Sequence, residues 1–341
     1  MAGLLDQGLK ILLSSHFFAP SIGGLETAST LLAESWVARG NEVQVVTMSP
    51  AAGASDAGYS FRVIRRPSPL ALLRALRWSD VFVHNHISVI AAWPLAFVRR
   101  PWVIVHQTYF GDGFKGLVKR LISRMADAQV ALSHRMARQI GAARVIPNPY
   151  DDKLFRTLPD ADRSRELIFV GRLVSDKGVA LLLRSVRVLA DRGVAAAVTI
   201  VGDGPDRRAL EALAAELGIS ARVEFAGSRR GTELMEALNR HRVMVVPSRW
   251  EEPFGIVGLE GLACGCTVVV ADRGGLPEAV GAAGLVFSGD DPAALADALQ
   301  RALTSRDLAE QLRAEALPHL ARHRPDAIAQ QYLELLEEIR R

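Results

Sequence analysis

Short apolar runs alternate with amphipathic stretches from one end of the chain to the other. In the first half the runs are KILLSSHF, EVQVVTM, FRVIRR, DVFVHNH, PWVIVHQT, AQVALS and ARVIPN. In the second they are LIFVGRL, AVTIVGDG, RVEFAG, VMVVPS, TVVVAD and AGLVFS. A run such as VMVVPS (243–248) is apolar at successive positions, as a strand buried on both faces must be. Strands separated by helical stretches predict parallel sheets covered by helices, so each half reads as its own doubly wound α/β unit.

The stretch PNPYDDKLFRTLPDADRSRE (147–166) is rich in proline and acid and follows neither period, which marks it as the junction. The expected organisation is a first Rossmann-like domain over 1–152 and a second over 153–324, with a last helix at about 325–341 that can pack back on the first. At 341 residues, 49% of them hydrophobic, the chain can fill two cores. Its longest apolar runs stop short of the roughly 18 residues that span a bilayer. The N-terminal stretch, with Asp6 and Lys10, is expected to be neither a signal peptide nor a span. Cys264 and Cys266 lie one residue apart, so neither a structural disulfide nor a metal site is expected, and a reducing cytoplasm fits.

Charge divides the halves. Residues 1–150 hold 16 Lys+Arg against 8 Asp+Glu, and residues 151–341 hold 25 against 29. A basic first half calls for an anionic partner: a polyanion, a phosphorylated acceptor or an acidic lipid surface. One segment, from Asp112 to Asp127, places Phe114, Leu117, Val118, Leu121, Ile122 and Met125 at helical spacing, with Lys115, Lys119, Arg120 and Arg124 on the remaining face. Such a helix either lies on an anionic membrane or is an ordinary surface helix with its apolar side in the core.

In open parallel sheets ligands bind beyond the carboxyl ends of the strands. His16, His84, His86 and His106 all fall at that edge of the first sheet, where hydrogen bonding to a substrate is expected. A metal cluster is not, since neither a helical pair nor an adjacent carboxylate accompanies them. Gly23 and Gly24 permit a close backbone approach ahead of Glu26, or simply a tight connection. Nothing matches a P-loop or a three-glycine dinucleotide fingerprint. In the second half, Arg172 and Lys177 sit on a strand-to-helix turn, where two cations can neutralise a diphosphate.

The segment 248–265, SRWEEPFGIVGLEGLACG, gathers most of this chemistry. Pro253 is placed for a first helical turn, which leaves the amides of Phe254, Gly255, Ile256 and Val257 open to an anion. Glu252 and Glu260 bracket that start. They either complement the helix dipole or accept from paired hydroxyls of a sugar or ribose, and Glu260 would lie about 7 to 8 Å along the axis from Gly255.

In combination these residues resemble the retaining glycosyltransferases of family 4, which share the two-domain GT-B fold. The resemblance rests on GGLE (23–26), VIVH ending at His106, IPNP (146–149), FVGRLVSDKG, IVGDGP, EEPFGIVGLEGLACG with its Glu-x7-Glu spacing from Glu252 to Glu260, and GGLPE. It implies two domains facing across a cleft and a nucleotide-sugar donor on the second. It also implies an acceptor hydroxyl, lipid-linked, phosphorylated or of a glycan or secondary metabolite, on the side of His16, Glu26, His84 and His86. By the same resemblance Glu260 accepts from the ribose, Glu252 contacts the donor sugar, and Arg172 and Lys177 stabilise the departing diphosphate. Gly23, Gly24, Gly171 and the amides of Phe254 to Val257 complete the cradle, and His106 points at donor sugar and acceptor. Neither a metal nor another cofactor is implied, nor a nucleic-acid partner; Asp160 and Asp162 form a DxD string, but in the junction. Two rivals remain: a nucleotide-sugar epimerase or hydrolase of the same fold, and a non-catalytic sugar-nucleotide binder. Pro149 and Gly261 depart from the family's usual glycine and alanine, which bears on packing.

Overall fold

A computed structural model describes residues 8–19, 23–51, 56–86, 88–111, 113–142 and 144–341, without the side chains of 89, 90 and 115. Asp6, Asp112 and the Lys115 side chain therefore lie outside the described residues, as do residues 20–22 just before Gly23.

All thirteen apolar runs are strands. The first seven are β1 (Lys10–Ser15), β2 (Glu42–Thr47), β3 (Arg62–Arg65), β4 (Val81–Asn85), β5 (Trp102–His106), β6 (Ala128–Ala131) and β7 (Arg144–Val145). They form one parallel sheet in the order β3-β2-β1-β4-β5-β6-β7. The other six are β8 (Arg165–Val170), β9 (Val198–Val201), β10 (Val223–Gly227), β11 (His241–Val246), β12 (Thr267–Ala271) and β13 (Gly284–Phe287). Their sheet, also parallel, has the order β10-β9-β8-β11-β12-β13. Each sheet thus runs third, second, first, then fourth onward, the Rossmann order.

Helices of the first sheet are α1 (Gly24–Ala38), α2 (Pro69–Trp78), α3 (Val89–Ala92), α4 (Gly113–Ser123) and α5 (His134–Ile140). Those of the second are α6 (Val179–Asp191), α7 (Arg207–Glu216), α8 (Gly231–Asn239), α9 (Ile256–Ala263), α10 (Leu276–Val280), α11 (Pro292–Thr304) and α12 (Arg306–Ala321). The last helix, α13 (Pro325–Arg340), returns to the first sheet. There Trp36 of α1 donates its indole N–H to the Ala329 carbonyl at 3.3 Å and meets the Tyr332 ring edge-on. By its contacts the chain forms two units, one made of residues up to Tyr150 with His323–Arg341, the other of Asp151–Arg322.

The junction is anchored to the second unit. Leu158 donates its amide to Asn239 Oδ1 at 2.7 Å, and the Arg163 guanidinium binds the carbonyls of His241 and Cys264. Cys264 and Cys266 are free and buried. Where Gly261 stands in place of the family's usual alanine, a Cβ would lie 2.4 Å from Met244 Sδ, so the methionine fills the missing methyl's space.

Candidate active site

In a Rossmann order the loops after the first and fourth strands diverge and open a crevice at the carboxyl edge. In the second unit that point lies between β8 and β11, neighbours in parallel register. Gly171, Arg172 and Lys177 follow β8, and Ser248 and Glu252 follow β11. Lys177 Nζ reaches Glu252 Oε1 at 2.5 Å, and the Ser248 hydroxyl donates to the same oxygen at 2.9 Å. The two turns are also joined through the backbone, where the Asp176 carbonyl accepts from the amides of Arg249 and Trp250. Arg172 is exposed, and its guanidinium makes neither a hydrogen bond nor an ion pair among the described residues.

This joint depends on glycine. Gly178, at φ +72°, lies so close to the end of β11 that a Cβ would sit 1.9 Å from the Pro247 carbonyl oxygen. Backbone cannot yield as a side-chain tip can, and left-handed φ adds strain for any other residue. Gly178→Ala should therefore lower unfolding stability by about 2 kcal/mol or more, read as a fall in the denaturation midpoint at unchanged slope. An unaltered midpoint would mean that the turn simply shifts outward.

The helix opening differs from the expectation. Pro253 is not in the first turn, because α9 begins at Ile256 with Gly255 as its N-cap at φ 115°, ψ 60°. That left-handed residue cannot belong to a right-handed helix, and a Cβ there would meet Leu276 at 2.5 Å. Phe254 instead buries its ring. Of the four amides expected to bind an anion, only those of Ile256 and Val257 belong to the helix start; Gly258 already bonds the Gly255 carbonyl.

Glu260 lies within α9, mostly out of water. Loss of hydration, with repulsion from Asp151 second, pushes its carboxyl up to about 7. Among the described residues no donor reaches its oxygens, which leaves them open to hydroxyl donors. Asp160 and Asp162 are exposed, and Asp162 accepts from Ser164. Among the described residues no group of three or more His, Cys, Asp and Glu could hold a metal ion.

In the first unit the four histidines separate. His106, at the end of β5, is buried, its Nε2 lies 3.0 Å from Gln129 Oε1, and Phe110 meets its ring edge-on at 5.0 Å. With that amide oxygen as acceptor, Nε2 carries the proton and Nδ1 keeps its lone pair. Burial lowers the pKa, so the ring is neutral at pH 7. His86 has φ +78°, a strained conformation for a side-chain residue. Burial pushes its pKa down to about 4, and repulsion from Lys119, His16 and His106 adds to the shift, which places these groups in one neighbourhood.

His84 does not join them. It is fully buried beside the Phe82 and Trp102 rings, its Nε2 accepts from the Ser88 amide at 3.0 Å, and burial lowers its pKa to about 3. It points into the apolar row of the sheet, so the expectation that it faces an acceptor is corrected to a core position. Beside His16 an apolar hollow of about 90 Å³ opens, lined by Met48, Leu72 and Trp93 with Thr47 and Ser88.

Glu26 folds back over the start of α1, where a Cβ on Gly23 would lie 2.6 Å from its Oε2. Behind this helix start runs a buried polar chain. Asn85 donates to Ser29 of α1, and Gln107 bridges Asn85 and Asn148. The sequence reading missed Gln129, which orients His106, and Glu251, which accepts from the Gly274 amide at 2.8 Å. Gln129 lies inside β6, in none of the motifs above, and Glu251 in the loop after β11, next to Glu252.

Comparison with known proteins decides the family. A D-inositol 3-phosphate glycosyltransferase of Frankia alni (strain DSM 45986 / CECT 9034 / ACN14a) is 38% identical over 275 residues, covering 74% of this chain and 67% of that protein. The family model for glycosyl transferases group 1 matches residues 151–317. The chain belongs to the group 1 glycosyltransferases. The chain is also 36% identical over 221 residues to a D-inositol 3-phosphate glycosyltransferase of Corynebacterium jeikeium (strain K411), covering 58% of this chain and 52% of that one. It spans about half the length of the curated relatives it matches. Among solved structures, HepE of Anabaena in complex with UDP superposes with a TM-score of 0.81 at 21% identity, covering 97% of this chain and 100% of that one. The fold is therefore GT-B, two Rossmann-like α/β domains.

Proposed function

We propose that this chain moves a hexose from a nucleotide-sugar donor to an acceptor hydroxyl, with retention of anomeric configuration and without a metal, as a family 4 enzyme does. The observation that carries the reading is the Lys177–Glu252 pair at the switch point of the second sheet, with the free guanidinium of Arg172 on the same turn and the Glu260 carboxylate without a donor on α9. Two cations suit a diphosphate leaving group, and a carboxylate without partners suits a ribose diol. Catalysis is then charge already in place for the leaving group and alignment of the acceptor, with no protein nucleophile. HepE was crystallised with UDP and with UDP-glucose, which makes uridine donors the first to test. The basic first half and the relatives named for an inositol phosphate favour a phosphorylated acceptor.

Thermal-shift screening against UDP-, GDP- and ADP-sugars tests the donor, because a ligand bound only to the folded state raises the melting temperature with its concentration. Transfer, followed by NMR of the product's anomeric proton, should retain configuration and persist in EDTA. Inversion would reject the retaining reading. Sugar release or epimerisation without an acceptor would favour the hydrolase or epimerase, and binding without turnover the non-catalytic binder. In the first unit, His106→Ala is expected to melt within a few degrees of the parent while transfer falls by about tenfold or more, the scale of one lost hydrogen bond to a reacting group. Full activity would remove His106 from the reaction.

A further inference from the structure

Helix α4 does not bury its apolar stripe. Of the residues at helical spacing, Ile122 packs on the core cluster of the first sheet. Phe114, Leu117, Leu121 and Met125 face solvent, Phe114 78% and Met125 75% exposed. Two neighbours share this side of the sheet. Leu72 and Leu76 of α2, and Trp93, Leu95 and Val98 around the turn Trp93–Ala96, pack on the same cluster as Ile122. These elements leave Leu70 and Phe97 exposed as well. Six of the ten large hydrophobic side chains exposed among the described residues therefore belong to α2, that turn and α4 with its following turn.

The charge along this stretch is predominantly basic. From Pro69 to Met125 the sequence holds eight Lys+Arg and two Asp+Glu. Arg74, Arg77, Arg99, Arg120 and Arg124 are exposed, and none of the five forms an ion pair among the described residues. Arg120 lies over the Phe110 ring, 5.9 Å from its centroid. Among the described residues no helix is long and apolar enough to cross a membrane.

We propose that this side of the first unit, α2 with α4 and the turn between them, docks on an anionic lipid bilayer. Large apolar side chains interleaved with guanidiniums are what a bilayer surface takes up, the rings and leucines entering the acyl boundary and the arginines reaching headgroup phosphates. A protein partner of matching acidity would need apolar pockets for six separate side chains; a bilayer needs none.

Flotation with vesicles tests this without reading sugar transfer, so its outcome and that of the transferase reading are separable. The wild-type chain is expected to bind phosphatidylcholine vesicles containing about 30% phosphatidylglycerol at least about tenfold more tightly than phosphatidylcholine alone, and to lose most of that preference in high salt. Leu117→Ser with Leu121→Ser should weaken partition about tenfold, and Arg120→Glu with Arg124→Glu should abolish the anionic preference. All four side chains are exposed, so unchanged melting will certify the fold. Equal binding by both double variants, or equal binding to the two vesicle types, would overturn the proposal. So would absence of vesicle binding; a wild-type dimer that Leu117→Ser with Leu121→Ser dissociates would then show that a second copy covers this side.

Discussion

Lys177→Ala is expected to slow sugar transfer at saturating donor by about a hundredfold or more, the scale of removing one charge contact to a transition state. The geometry adds a second penalty. Lys177 is bonded to Glu252, which is itself only 14% exposed at its side chain. Without the ammonium, that carboxylate keeps the Ser248 hydroxyl as its hydrogen-bond donor and repels an arriving diphosphate. The single variant should therefore also bind the donor more weakly. Glu252→Gln added to Lys177→Ala should return part of the donor affinity by removing the repulsion, yet leave turnover low, because the charge on the leaving group is still missing. This split between KM and kcat separates a leaving-group cation from a residue that merely ties two turns together. If Lys177→Ala kept turnover within about threefold of wild type, a shift too small for a lost ionic contact, the leaving-group role would fail.

That pair also shows where sequence reading stops. The strands were legible because a parallel strand buried on both faces must be a continuous apolar run, a local signal, and each of the thirteen runs is a strand. Both partners were legible as candidates from their position at strand ends. Their contact spans 75 residues and depends on β8 and β11 being neighbours, which the sheet order decides and no local pattern spells out. The start of α9 was misplaced because Pro253 gives a strong local cue, while the left-handed Gly255 that overrides it is fixed by packing against Leu276. His84 and His106 looked alike for a related reason. The register puts both in one row, with His84 opposite Ile104 and His106 two residues further on, so what separates them is depth: His84 lies among Phe82 and Trp102, and His106 ends the row beside Gln129, a distance along the sheet that periodicity does not encode. For α4 the sequence gives an apolar stripe but not what covers it, and exposure of Phe114, Leu117 and Leu121 shows only that the core of the first unit does not.

Glu260→Gln is expected to move stability and nucleotide binding in opposite directions. The folded chain holds the Glu260 proton up to about pH 7, against an ordinary value of 4.5. A carboxyl raised on folding binds its proton more tightly in the native state, so stability is highest below the ordinary value and falls as pH climbs from there to about 7. Above that the native chain carries a poorly hydrated carboxylate, at a cost of up to about 3 kcal/mol. Glutamine removes this cost, so without nucleotide the variant should melt above wild type at pH 8 and converge with it towards pH 4. Binding runs the other way. A charged carboxylate accepting from ribose hydroxyls contributes about 1.5 to 3 kcal/mol, so the variant should bind UDP about tenfold to a hundredfold more weakly at pH 8. The wild-type advantage should shrink as pH drops through 7 and Glu260 takes up its proton. Because the phosphates of UDP titrate identically against either protein, the difference between the two affinity profiles isolates this one group. A variant that gains stability at pH 8 yet binds UDP as tightly as wild type would leave Glu260 as a poorly hydrated acid of α9 and move the ribose elsewhere on the second unit.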